Sequence, residues 1–331
     1  MSWTRPEQPS QRRAPVRAIA TALLLGATML GAVADPDADA RPRGPGTSAF
    51  PGRNGALAFT GSQAGGLNIF RMEDDGSGTR RLSDGDQDNL PAWSADATQV
   101  LFTSSRDGGN SEIYRMNASG TSELRMTNSG GLDTDAAWFP GDGAFVFSST
   151  REGSADLWVH NLTETLAPDG GPVQLTTNPA SDVQPVVSPD GKRIAFASHR
   201  DGDFEIYVIW ANAPEGPTNK AVRLTTNTAV NGDPDWSPSG QQIAFTTRRD
   251  GNDEIYVMNA DGTRQRNLTQ NPRTDRHPSW SPSGKQIAFE RDGIDVFRDI
   301  FRMRADGTRQ VNLTESTDAV EADPNWQPRP D

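Results

Sequence analysis

DPDWSPSGQQIAFTTRRDGNDEIYVMNADGTRQRNLT, residues 233–269, is the stretch from which the fold is read. Four short runs of β-type residues alternate in it with turn chemistry. Pro234-Asp235-Trp236 leads into the turn Ser237-Pro238-Ser239-Gly240, and Gln242 to Phe245 leads towards the turn Arg249-Asp250-Gly251. Glu254 to Met258 leads into Asn259-Ala260-Asp261-Gly262, and a last run ends at Leu268-Thr269. Pro presets φ near −65° and Gly supplies positive φ, so these clusters mark where the chain reverses. The β-branched and aromatic residues between them predict a four-stranded antiparallel meander. Such a sheet is apolar on both faces and cannot be buried alone.

The same unit occurs six times. The Trp of its first strand returns as Trp93, Trp138, Trp236, Trp280 and Trp326, with Val187 in the remaining place. The aromatic of the second strand returns as Phe59, Phe102, Phe147, Phe196, Phe245 and Phe289. The third-strand aliphatic returns as Ile69, Ile113, Leu157, Ile206, Ile255 and Ile300. Repeats of 43 to 49 residues suit one propeller blade each, so the fold class is all-β, a six-bladed β-propeller of four-stranded antiparallel blades. The first repeat begins with a second-strand run, Ala56 to Phe59, and the last ends with an orphan first strand, Asp323 to Trp326. The C-terminal strand is therefore expected to complete blade one and close the ring, with 324–328 pairing against 55–60.

Outside the repeats, residues 1–34 read as an export signal. Arg5, Arg12, Arg13 and Arg17 precede the apolar run Ala18 to Leu30, and Ala32-Val33-Ala34 offers a small-residue cleavage site. The run is short and rich in Ala and Gly for a membrane span, which favours a cleaved signal, with a retained single anchor as the alternative reading. Residues 35–52, dominated by Pro, Gly and Asp, read as a disordered linker, and 53–331 as the propeller. The chain has no Cys, so disulfides and thiolate chemistry are excluded. Its net charge is −12, and without residues 1–34 it carries 28 basic and 43 acidic side chains. That balance opposes nucleic-acid binding, whose affinity comes from cations on phosphates.

The runs SPDGKRIAFASHRDGDFEIYVI (188–209) and SPSGQQIAFTTRRDGNDEIYVMNADGTRQRNLT (237–269) resemble the repeats of TolB-type, WD-like β-propellers, and the likeness extends over about five sixths of the chain. The resemblance implies a six-bladed propeller, usually exported in bacteria, whose commonest role is docking other proteins. TolB itself carries an N-terminal α/β domain that contacts its envelope partners, where this chain is expected to have only a short tether. Similar propellers also serve as non-catalytic domains of serine peptidases, and a few related ones are pectic-oligosaccharide lyases.

Loops entering the first strand and loops joining strands two and three share one face of a propeller. Five positions before each first-strand landmark stand Asp88, Asp133, Asp182, Asn231, Asp275 and Glu321. From the other loop come Arg106, Arg151, Arg200, Arg249 and Arg291, with blade one breaking the pattern at Gly61-Ser62-Gln63-Ala64. Two readings are open. Acid and Arg pair and hold the loops, or the acids line the channel mouth as a site for a cation, calcium being the candidate, or for a basic peptide. An Asp84-to-Asp88 calcium loop fails because Ala95 stands where a bidentate Glu is needed.

His160, His199 and His277 are the only histidines. His199 and His277 belong to loops of one face but to blades four and six, which are not neighbours, so no three-His metal centre is expected. No Gly-x-Ser-x-Gly elbow, phosphate loop or cofactor motif occurs, and no catalytic domain is expected beyond Asp331. Blade six departs from its siblings with Ile294, Val296 and Phe297 in its strand two–three loop, and blade four with Phe204. Apolar loop residues either pack on the next blade or mark a contact site. Two long loops, 161–171 and 210–221, lie on the opposite face.

The expectation is an exported, monomeric, non-catalytic propeller, periplasmic or secreted, without cofactor. It binds an envelope or extracellular protein or peptide through the channel-mouth face. The alternative is a carbohydrate lyase, hydrolase or carbohydrate-binding propeller using acids at that mouth.

Overall fold

A computed structural model of the chain describes residues 47–48, 50–62, 66–85, 87–293, 297–316 and 319–329. The export signal expected over 1–34 lies outside these residues. Every regular element described is a β-strand, and no helix among the described residues is long and apolar enough to cross a membrane.

Six sheets stand in a ring, each ordered from an inner strand outwards. The inner strands are Asp88–Trp93, Asp133–Trp138, Asp182–Val187, Asn231–Trp236 and Asp275–Trp280 in blades two to six, and Glu321–Arg329 in blade one. In blade five, Gln242–Thr247, Glu254–Asn259 and Arg266–Asn267 follow in antiparallel register. The inner strand thus begins three residues earlier than the sequence pattern predicts, and the outer strand shrinks to two residues. Closure is as expected. The C-terminal strand pairs antiparallel with Arg53–Gly61, Leu57 opposite Trp326 and Asn54 opposite Pro328.

Packing follows from the two-sided apolarity of each meander. Trp236, Ile243, Phe245 and Met258 of blade five bury their faces against Val186, Ala195 and Ile206 of blade four. The opposite face of blade five, through Ala244, Ile255 and Val257, meets Trp280, Ile287 and Phe289 of blade six. The same arrangement continues across the closure, where Leu57, Phe59, Phe70 and Trp326 pack on Ala288 and Ile300. Each blade is therefore one half of two hydrophobic layers, and none has a core of its own.

The outer hairpins hook neighbouring blades together. Gly307 has φ +90°, and a Cβ there would lie 2.6 Å from the Leu268 carbonyl oxygen of blade five. Gly76 repeats the contact across the closure, 2.4 Å from the Leu313 oxygen. Only glycine permits both the left-handed turn and this approach.

Part of the segment read as a linker is seated in the fold. Thr47–Ser48 pairs in parallel with Asp235–Trp236 and touches the inner strands of blades two to six, at the end of the axis carrying the strand one–two turns. Phe50 is buried, and the Gly52 N–H donates to the Pro282 carbonyl.

Candidate functional site

Every inner strand of the ring carries a β-bulge. In blade five Gly232 faces Thr246 and Asp235 faces Ala244, so two residues oppose one. The residue three before each Trp, or before Val187, takes positive φ: Leu90, Asp135, Gln184, Asp233, His277 and Asp323, all between 50° and 57°. Asp and His are among the few non-glycine residues that enter this region readily. The bulge gives these side chains a direction of their own, and they converge on the axis. The charges of Asp233 in blade five and Asp323 in blade one both bear on Asp135 in blade three. His277 of blade six reaches both Asp233 and Asp323.

The upper channel is thus a buried polar cluster. His277 Nδ1 lies 3.0 Å from Glu290 Oε2 and 3.2 Å from Asp323 Oδ1, and its Nε2 lies 3.4 Å from Asp233 Oδ1. His277, Glu290 and Asp323 together offer three ligand atoms all within 4.8 Å of one another. Asp323 Oδ2 accepts the Thr60 hydroxyl at 2.8 Å, and Glu290 Oε1 accepts from Arg298 Nη1 at 3.2 Å. The amide of Gln184 donates to Asp233 Oδ1, and the Asp233 N–H donates back to Gln184 Oε1 at 2.9 Å. Burial alone would drive the proton off His277, but the carboxylates of Asp233, Glu290 and Asp323 outweigh it and hold its pKa at about 10. Burial pushes Asp135 up to about 7, aided by Asp233 and Asp323 and opposed by hydrogen bonds from Thr134 and Ser148. Asp323 is pushed up by burial, against the pull of His277.

The acids and arginines singled out in the sequence lie further from the axis and hold one another. Asp88 pairs with Arg106 at 2.6 Å, Asp133 with Arg151 at 2.8 Å, Asp182 with Arg200 at 2.8 Å and Asp275 with Arg291 at 2.6 Å. In blade five the amide Asn231 Oδ1 accepts from Arg249 at 3.1 Å. All five pairs lie within one blade, and the four Asp side chains are 0 % exposed. Each guanidinium also lies over aromatic rings of strands two and three, as Arg249 does over Phe245 and, at 4.6 Å, over Tyr256. Four of them continue outwards to Glu123, Glu215, Gln265 or Gln310. Glu215 belongs to the long loop 210–221, and its N–H donates to the Leu175 carbonyl of blade three. Glu321, buried at the start of the last inner strand, stands opposite Gly61 in the ladder.

Phe204 is 1 % exposed, packed with Ala155, Val183 and Ala197. That placement makes it a wedge between blades, not a presented side chain. The His199 ring lies beside it, centroids 5.1 Å apart and tilted by 49°. Phe297 is half-buried and its carbonyl accepts the Gly293 N–H. Ile294 and Val296 lie outside the described residues, as does Asp86 of the acidic turn. His160 is buried against Phe145, away from the other histidines.

Asp182 lies buried beside Arg200 and Glu215. Burial pushes its pKa from 3.8 up to about 6, with Arg200 opposing and Glu215 adding to the shift. A carboxyl raised on folding binds protons more readily in the native state, so stability falls as pH rises from about 4 to 6 and stays lowered above that. Asp182→Asn, which copies Asn231 of blade five, is expected to remove that slope. The variant should gain on the native protein by on the order of 2 kcal/mol across this window. Denaturant unfolding at pH 4, 5, 6 and 7 measures it, and parallel pH profiles for the two proteins would contradict the assignment.

Sequence reasoning found His277 but not its partners. A signal existed: the position three before each Trp carries Leu, Asp, Gln, Asp, His and Asp in turn. A left-handed bulge at that place follows from no composition rule.

Comparison with known proteins agrees with this architecture. A family model described as the TolB beta propeller domain matches residues 89–169 and 215–331. The crystal structure of TolB from Acinetobacter baumannii superposes with a TM-score of 0.72 at 21% identity, covering 83% of this chain and 67% of that one. The structure described as "putative TolB from Agrobacterium tumefaciens" gives 0.63 at 21% identity, covering 83% of this chain and 99% of that one. The tricorn protease gives 0.58 at 17% identity, covering 80% of this chain and 26% of that one. At these identities the likeness establishes the fold.

Proposed function

This chain belongs to the TolB β-propeller domain family, and on that premise we propose that it is an exported, non-catalytic scaffold that docks a basic protein or peptide segment of the cell envelope or extracellular space. The observation that carries the reading is an arc of exposed carboxylates over four consecutive blades. Asp107, Glu152, Asp201 with Asp203, and Asp250 stand on the strand two–three loops of blades two, three, four and five, all on the channel-mouth face. Three of them are held in place from below: Tyr114, Tyr207 and Tyr256 donate their hydroxyls to Asp107, Asp201 and Asp250. Arg125 and Arg223 also lie 3.2 Å from Asp107 and Asp201, so two of the carboxylates are shared with an arginine of their own blade. Carboxylates fixed in this way lose little freedom on meeting a cation, and with Glu152, Asp203 and Asp250 they favour a basic partner on this face.

The alternative, a carbohydrate lyase or hydrolase, would draw its proton-transfer groups from the acids beside the mouth. Asp88, Asp133, Asp182 and Asp275 are each held by an arginine of their own blade, an arrangement suited to fixing loops. Isothermal titration of the full chain with a lysine- and arginine-rich peptide, and with an acidic peptide of equal length, tests the docking reading. The basic peptide should bind, with log affinity falling steadily against log salt. Glu152→Gln with Asp203→Asn should weaken it at least threefold at low salt. Equal binding of the two peptides, or binding indifferent to salt, would remove the arc from the contact surface.

A further inference from the structure

We propose that the upper channel is a metal site: a first-row divalent transition ion, of the Mn2+ or Zn2+ type, bound by His277 Nδ1, Glu290 Oε2 and Asp323 Oδ1. The ligands come from the bulge of blade six, the second strand of the same blade and the bulge of blade one, which the ring closure brings together. Two independent observations carry the site. The first is spacing. Neighbouring ligands on an ion with bonds of about 2.0–2.2 Å stand roughly 3.0–3.5 Å apart, and Nδ1 lies 3.0 Å from Oε2 and 3.2 Å from Oδ1.

The second is unmet hydrogen bonding. His277 is 5 % exposed and Glu290 1 % exposed, yet both ring nitrogens of His277 and Oε2 of Glu290 lack a hydrogen bond. The carboxylates are near the imidazole but not aligned with its N–H directions. Buried polar atoms without a hydrogen bond are rare, and they point to a species that satisfies them. An ion between Nδ1, Oε2 and Oδ1 satisfies two of the three and draws on the negative charge around them.

The surrounding residues fit an outer shell. The second oxygen of Asp323 is fixed by the Thr60 hydroxyl, and that of Glu290 by Arg298. Asp233 Oδ1 stands 3.4 Å from His277 Nε2, close enough to accept its N–H after a small turn of the ring and so to orient a metal-bound histidine, and Gln184 holds Asp233 in turn. One imidazole with two carboxylates is a mixed nitrogen–oxygen donor set, which suits Mn2+ or Zn2+ better than Ca2+ or Mg2+, whose shells are all oxygen. Three protein ligands leave the ion open on one side.

The test uses the purified full chain, stripped with a chelator and dialysed, then titrated separately with MnCl2, ZnCl2 and CaCl2. Binding is followed by metal analysis, by loss of the free Mn2+ electron paramagnetic resonance signal and by the thermal midpoint. One Mn2+ or Zn2+ per chain is expected, with a rise in midpoint that Ca2+ does not reproduce. X-ray absorption at the zinc edge should show one imidazole nitrogen in the first shell. His277→Gln and Glu290→Gln should each weaken binding at least tenfold, with circular dichroism confirming the fold, and Asp323→Asn serves where either fails to fold. An imidazolium lodged among carboxylates is the competing occupant. Failure of the native chain to bind either ion, a zinc shell made only of oxygen, or unchanged affinity in folded variants would overturn the site.

Discussion

Removal of residues 320–331 is expected to abolish cooperative folding of the whole propeller. The lost strand is the innermost of blade one, paired with Arg53–Gly61 from Glu321 to Arg329 with two shifts of register on the way. It carries Trp326, 2 % exposed among Leu57, Phe59, Phe70 and Met72. It also reaches the neighbouring blade, where Asn325 Oδ1 accepts the Trp93 N–H at 2.7 Å. Deleting it strips a large aromatic from one hydrophobic layer, opens a ladder of buried backbone groups along Arg53–Gly61 and unhooks blade two. The aromatic alone is worth about 3–5 kcal/mol, and an unpaired strand edge is a template for aggregation. Together these reach the whole stability of a typical domain, on the order of 5–15 kcal/mol. The truncated chain should melt broadly, if at all, by circular dichroism, and should bind a hydrophobic dye. A single sharp transition within a few degrees of the full chain would show that the ring does not depend on its last strand.

Trp236→Ala is the point substitution with the largest expected cost, about 3–5 kcal/mol. The side chain is fully buried where blade five meets blade four, against Val186, Ala195 and Ile206. The guanidinium of Arg193 covers its ring at 4.6 Å, an interaction worth about 0.5–1 kcal/mol or more as the site dries. Gln242–Thr247 is paired on both sides, and Asn231–Trp236 is held by it along one edge and by Thr47–Ser48 at Asp235 and Trp236 on the other, so the void left by an indole cannot close by a shift of one sheet alone. Urea unfolding of the folded variant gives the value from the displaced midpoint at unchanged slope. A loss below about 1 kcal/mol would mean that the neighbours collapse into the space.

Both expectations rest on features legible in the amino-acid order. Trp236, Phe245 and Ile255 recur in step along the chain because every blade must bury two apolar faces against two neighbours. That requirement repeats with the blade and leaves its mark at a fixed interval. Ring closure was legible for the same reason: a second strand at 56–59 without a first, and a first strand at 323–326 without a second, are complementary remainders of one sheet. The pairing of Asp88, Asp133, Asp182 and Asp275 with an arginine of the same blade followed from their place in the repeat, as one of two open readings.

The channel was not legible. Its lining depends on a bulge that turns one residue per inner strand into the left-handed region. A bulge is an accommodation between two strands, absent from either sequence taken alone. Nor do the lining residues share a chemistry, since Leu90, Gln184 and His277 occupy equivalent places. The same limit applies to Phe204, whose loop position hid its burial between blades. Local order in the chain therefore determined the number of blades, their strands and their closure, because hydrophobic burial imposes one pattern on every repeat. Only the folded ring decided that His277, Glu290 and Asp323 meet, because their meeting depends on backbone geometry at the axis and on blade six standing beside blade one.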